Sequence, residues 1–328
     1  MSSTEPETLV EAIRFFSDPD VCREYVAALR WPGGVTCPSC GGAEVTYLPS
    51  VGRWQCKAKH PRRQFSVKNG TIFEDSPLSL DKWLAVIWML ANAKNGVSSY
   101  EIHRSIGVTQ KAAWFMLKRV RLAMQTGTFE RERMGGPGST VEADETYIGG
   151  KARNMHRDQR KLKITGRGGA GKAAVMGLLE RHTPTTGSRA RSEVRLTVVP
   201  NVRKGTLAAE VRQAVEPGSN LYTDALGSYL TLGEEYRHKV VDHAERYVDG
   251  HVHTNGLENF WSLLKRSLGG TYVSVEAYHL FRYLDEQAFR FNLRHLTDGE
   301  RFKLALAGIV GKRLTYSELT GKFLGALA

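Results

Sequence analysis

The stretch HTNGLENFWSLLKR, residues 253–266, decides how the chain is read. Wound as a helix, it places Leu257, Phe260, Trp261, Leu264 and the following Leu268 on one side. Asn255, Glu258, Ser262 and Lys265 fall on the other, at spacings of three, four and three. An apolar back of this width docks on a sheet or a helix layer. The polar face then presents a carboxylate, with a lysine two turns later.

Working outward, the residues before this helix read as strands at STVEADETYIG, AAVMGLLE, EVRLTVV and NLYTDA, with a helix-period run at KGTLAAEVRQAV before the last of these and a short apolar run, KVVDH, after it. Successive strands and helices ending in the opening helix describe an α/β domain. Two further acids stand out in it. Asp144 sits near the end of one strand-like run, and Asp224 follows a short apolar strand. In α/β folds the carboxyl ends of strands line the crevice where ligands bind. Asp144, Asp224 and Glu258 together would hold two divalent cations. Such a pair activates a water and stabilises a leaving oxygen at a phosphodiester. Magnesium suits the site, because it prefers hard oxygen ligands and keeps water and phosphate in its shell. Manganese is the natural substitute.

The composition agrees with a nucleic-acid partner. Of 328 residues, 46 are Lys or Arg and 34 are Asp or Glu, a formal net charge of +12. The chain is 41% apolar and has no run long enough to span a bilayer. The start MSSTEPETLV lacks a basic-then-apolar signal pattern, so a cytoplasmic, nucleoid-associated protein is expected, with no membrane partner.

Toward the N-terminus, Cys37-x-x-Cys40 is followed by Cys56 and, four positions later, His60. These spacings match a zinc ribbon, with three thiolates and one imidazole around a structural zinc ion. Gly41-Gly42 allows the turn that aims the first two sulfurs at one ion. Cys22, among Val21, Tyr25 and Val26, reads as a core thiol. An amphipathic helix over 79–95, capped by Ser79, shows a stripe of Trp83, Leu84, Ile87, Trp88 and Ala91. Next, VSSYEIHRSIGVTQKAAWFMLKRVRLAMQ has helix-turn-helix grammar. Thr109, Gln110 and Lys111 open the second helix, and Lys118, Arg119 and Arg121 follow as expected DNA contacts.

The domain plan is therefore N-terminal helices and ribbon over 1–75, a helix-turn-helix region over 76–126, and a linker over 127–139. The catalytic α/β domain spans 140–295, with a tail over 296–328. Between the first two strands of the α/β domain, residues 151–172 are rich in Lys and Arg and carry a single Asp. Arg153, Arg157, Arg160, Lys161, Lys163, Arg167 and Lys172 are expected to meet DNA there, with Arg266 on the opening helix.

The order Asp144, Asp224, Glu258, with the text ADETYIGGK, YTDALGSY, HTNGLENFWSLLKR and RYLDEQAFRFN, resembles the DDE transposases of bacterial insertion sequences. Together with CPSC…CKAKHPRRQFSVKNGTIFEDS it is similar to their ISXO-like branch, which carries a zinc ribbon before the catalytic domain. The resemblance spans about residues 15–320. It implies a ribonuclease-H-like domain with a mixed five-stranded sheet, and a transposase that binds transposon ends and target double-stranded DNA as a homodimer or larger assembly. It implies Asp144, Asp224 and Glu258 as metal ligands and Lys265 as the basic residue that follows. Glu142 and Glu145 rival Asp144, which the family pattern favours. Asn255, one turn before Glu258 on the same face, is the alternative third residue. Glu258 is preferred because a carboxylate holds magnesium more strongly than an amide. Two other readings stay open: a DNA-binding regulator with an inactive catalytic domain, and a nuclease without strand transfer.

Overall fold

A computed structural model describes residues 5–125, 132–149, 171–182, 191–224, 229, 232–241 and 252–321. The chain divides into two compact units. The first joins residues 1–126 to residues 296–328, and the second is 127–295.

In the first unit, α1 (Leu9–Phe15) and α2 (Pro19–Arg30) are separated where Asp18 caps α2 and Pro19 opens it. β1 (Val45–Leu48), β2 (Arg53–Cys56) and β3 (Gln64–Phe65) form an antiparallel ribbon. Trp54 and Phe65 stack on it, and Trp31 from the end of α2 packs edge-on against both rings. α3 (Leu80–Asn92) starts at Ser79, whose side chain makes no cap hydrogen bond. α4 (Ser99–Ile106) and α5 (Gln110–Met124) are joined by three residues, with Gly107 left-handed and Thr109 capping α5.

The residues expected to form a tail do otherwise. α9 (Asp298–Ala307) and α10 (Tyr316–Thr320) belong to this first unit. The Phe302 ring lies 5.0 Å from Trp88 of α3, and the Asn92 amide donates to the Asp298 carbonyl. Thr71 bridges to Val310. α3 buries Val86 and Leu90 besides its expected stripe, because α1, α2, α5 and α9 all pack against it and leave no broad solvent face.

In the second unit, β5 (Thr140–Ile148), β6 (Ala173–Arg181), β7 (Glu193–Val199), β9 (Asn220–Asp224) and β10 (Arg237–Val241) form one mixed sheet. Its order is β10-β9-β5-β6-β7. β5, β6 and β7 run antiparallel in sequence, whereas β9 is parallel to β5 and to β10. A two-residue pair, β4 (Met134–Gly135) with β8 (Val215–Glu216), stands beside it. One face of the sheet packs on α6 (Lys204–Ala214) through Val141, Ala143, Leu207 and Val211. The other packs on α7 (Asn255–Gly270) and α8 (Leu280–Asn292) through Val175, Val194, Phe260, Leu264 and Leu284. This mixed α/β plan is consistent with a ribonuclease-H-like domain. No helix among the described residues is long and apolar enough to cross a membrane.

Candidate active site and metal centre

β5 is where the two faces of the sheet diverge in chemistry. Residues two apart share a face, so Glu142, Asp144 and Thr146 look toward α7, and Val141, Ala143 and Glu145 look away. The Trp261 indole donates to Asp144 Oδ2 at 2.9 Å, and the Glu145 amide donates to Oδ1 at 2.8 Å. Trp261 can come this close because Asp144 pairs in register with Gly177 of β6. A Cβ on Gly177 would stand 2.7 Å from the indole and 2.9 Å from Leu257.

Burial, helped by the charges of Asp224 and Glu258, pushes the Asp144 carboxyl up to about 6 against the pull of the Trp261 and Glu145 N–H groups. Asp224 at the end of β9 and Glu258 in the first turn of α7 thus both act electrostatically on Asp144 in β5. Glu145, on the other face, is also held up by burial, to about 7, and accepts a hydrogen bond from Tyr229 at 2.6 Å. Glu142 is fully buried and bonded to Arg181 and to the Leu257 amide. The Asn255 Oδ1 is buried with no hydrogen-bond donor among the described residues. Carboxylates whose charges raise the Asp144 pKa, beside a buried amide oxygen, are a donor set suited to a hard divalent cation.

The zinc ligands are gathered more tightly. Cys37 Sγ lies 3.4 Å from His60 Nε2, and Cys40 Sγ lies 3.7 Å from Cys56 Sγ. All four donor atoms fall within 4.8 Å of one another. A tetrahedral zinc with bonds of about 2.3 Å to sulfur implies sulfur atoms roughly 3.8 Å apart, so the cluster has the dimensions of a structural site. Among the described residues it is the one group of three or more His, Cys, Asp or Glu side chains gathered this closely. Cys22 stays outside it, buried with its thiol donating to the Phe16 carbonyl and pushed up to about 11 by burial.

The other expected contacts are distributed unevenly. Lys265 and Arg266 on α7 are exposed, as are Thr109, Lys111 and Lys172. Gln110 is partly buried and donates to Ser99 Oγ. Lys118, Arg119 and Arg121, read as DNA contacts, are instead buried inside the first unit. Arg119 donates to the carbonyls of Ile72, Glu74 and Leu314. A basic run on a helix looks the same in sequence whether its cations meet phosphates or carbonyls; here Arg119 meets carbonyls of residues 72 and 74 and of the folded-back C-terminal segment. Arg153, Arg157, Arg160, Lys161, Lys163 and Arg167 lie outside the described residues.

Sequence reasoning passed over three residues that shape this site: Gly177, Arg181 and the indole of Trp261. A glycine inside an apolar strand run signals close approach of another element, and that signal was available in AAVMGLLE.

Comparison with known proteins follows the same division. Residues 135–292 match the family described as the ISXO2-like transposase domain, and residues 17–59 match the transposase zinc-ribbon domain. A protein of transposable element ISH50 from Halobacterium salinarum is 28% identical over 273 residues, covering 78% of this chain and 85% of that protein. A transposase-like protein from Haemophilus influenzae is 36% identical over 103 residues, covering 31% of this chain and 83% of that protein.

Proposed function

Because the chain belongs to the ISXO2-like transposases with an N-terminal zinc ribbon, we propose that it binds the ends of an insertion sequence, cuts DNA there and joins the 3′ hydroxyls to target DNA. The observation that carries this reading is that Asp224, at the end of β9, and Glu258, in the first turn of α7, both act with their charge on the buried Asp144 of β5. Asp144, Asp224 and Glu258 would hold two magnesium or manganese ions, with the unbonded Asn255 oxygen at the edge. Bound, the ions would supply activation of the attacking oxygen and neutralisation of charge at the phosphodiester. Trp261 fixes the Asp144 carboxylate from behind, so the site is oriented before a cation arrives. Lys265 and Arg266, exposed on the same helix, would take phosphates of the bound strand.

The ribbon and the start of α5 supply end recognition in this reading, through Thr109, Gln110 and Lys111 at the helix N-terminus. Lys172 and the basic segment before it add sequence-independent affinity. Joining two ends calls for a homodimer or larger assembly on DNA.

The test is cleavage of DNA carrying the element's ends. Asp144→Asn, Asp224→Asn and Glu258→Gln should each abolish magnesium-dependent cutting yet bind the ends normally in metal-free buffer. Because the three residues build one site, their losses should not add. Asn255→Ala should weaken cutting without erasing it. If Glu258→Gln still cuts and Asn255→Ala does not, the third ligand is Asn255. If all the carboxylate variants cut like wild type, the reading fails.

A further inference from the structure

α7 begins without a local cap. Thr254 precedes it in a non-helical conformation, and its side chain makes no capping hydrogen bond. The first amides of a helix need acceptors, and here one comes from the sheet. Glu142 of β5, two residues before Asp144 and on the same strand face, accepts the Leu257 amide on Oε2 at 2.9 Å. Its Oε1 accepts from Arg181 Nε of β6 at 2.6 Å. The same guanidinium donates through a second nitrogen to the His253 carbonyl and to His253 Nδ1. That Nδ1 also lies 3.3 Å from the Asn255 amide, which donates to it in the tautomer protonated on Nε2. Two strands therefore grip the entry to α7 at His253 and Leu257, with the Asn255 amide bonded to His253 between them, and the residue after Leu257 is Glu258.

Gly256 marks the fit. A Cβ there would lie 2.8 Å and 2.9 Å from the two Glu142 oxygens. An alanine would otherwise suit a helix better than glycine, but the carboxylate occupies its place. The carboxylate is 1% exposed and ion-paired, a costly arrangement to keep where nothing depends on it.

We propose that Glu142 is a positioning residue for strand cleavage: with Arg181 it fixes the axial and rotational setting of α7, and so brings Glu258 to Asp144 and Asp224. The proposal rests on the transposase reading for its consequence in catalysis. The clamp itself is independent of that reading.

Two measurements on the full-length protein separate these. The first is amide hydrogen exchange at Leu257 and Glu258. Gly256→Ala, which keeps both charged partners, should speed exchange there at least tenfold and leave the C-terminal half of α7 protected. The second is manganese-dependent cleavage of end DNA. Gly256→Ala and Glu142→Gln should raise the manganese midpoint at least tenfold, with metal-free binding of end DNA unchanged. The double variant Gly256→Ala/Glu142→Asp withdraws the carboxylate by one methylene and should recover most of the lost affinity for manganese. A residue that merely stabilised the domain would lower its melting temperature without this recovery. The proposal is overturned if both single variants keep the wild-type manganese midpoint. If wild type cuts no DNA, the functional reading has failed, and exchange alone decides the clamp: unchanged protection at Leu257 in Gly256→Ala refutes it, and lost protection sustains it.

Discussion

Asp144 is a carboxylate in an environment that resists its charge. Burial and the charges of Asp224 and Glu258 hold it up to about 6, against an ordinary 3.8. A group whose folded-state pKa is raised contributes stability below its unfolded pKa and loses that contribution as pH rises through the folded value. In metal-free buffer the catalytic unit should therefore lose stability between about pH 4 and about pH 6 through Asp144, and on to about 7 through Glu145. Asp144→Asn removes the first part, so the melting temperature of the variant minus that of wild type should climb across this window. Magnesium should raise the wild-type melting temperature more at pH 8 than at pH 5, because protons compete for the same oxygens. A flat difference between variant and wild type from pH 4 to 7 would show that Asp144 is not under this pressure. That Asp144 was the residue to watch was readable from VEADETYIGG. Its immediate surroundings were not, because the indole that bonds it comes from 117 positions away.

At the scale of elements, α7 shows what a pattern can carry. The apolar set Leu257, Phe260, Trp261, Leu264 and Leu268 is buried against the sheet, as its spacing requires. The partner's requirement is silent in that pattern: Gly177 of β6 must lack a side chain for Leu257 and Trp261 to seat. Gly177→Ala would force a methyl against a rigid indole and should cost the catalytic unit about 1–3 kcal/mol, as overpacking of a tight core does. A chemical melt would show it, and a fully stable variant would mean that α7 sits further from the sheet. The ribbon was legible for the opposite reason. Metal ligands announce themselves by residue type and spacing, and Cys37, Cys40, Cys56 and His60 converge as read. Elemental analysis should give about one zinc per chain, lost in Cys37→Ser. Weakened retention in His60→Ala would confirm the fourth ligand, and full retention would remove it. The basic run on α5 was the misleading element, since charge alone does not say whether Arg119 serves phosphates or the carbonyls of Ile72, Glu74 and Leu314.

At the scale of the whole molecule, the first unit is assembled from both ends of the sequence. Phe302, Leu306, Ile309, Leu314 and Leu319 of the returning segment are all buried. At about 1.5–3 kcal/mol for each large apolar side chain removed from water, their joint contribution is comparable to the 5–15 kcal/mol margin of a typical domain. A chain stopped after His295 should therefore lose the cooperative unfolding of its first unit while the sheet of the second unit still melts as a unit. Retained cooperativity in the first unit would show the return segment to be dispensable. The returning segment also sets a clock. A ribosome adding about 5–20 residues per second needs on the order of ten to thirty seconds to travel from the end of α5 to the start of α9. During that interval α3 has no Phe302 to pack on, and Arg119 lacks the Leu314 carbonyl. The strands of the catalytic sheet have all been synthesised before the zinc-bearing unit can close around its last helices. A nascent chain, or one that stops before α9, thus carries the whole second unit without a finished first unit, and the return segment from Asp298 to Thr320 decides whether that first unit closes.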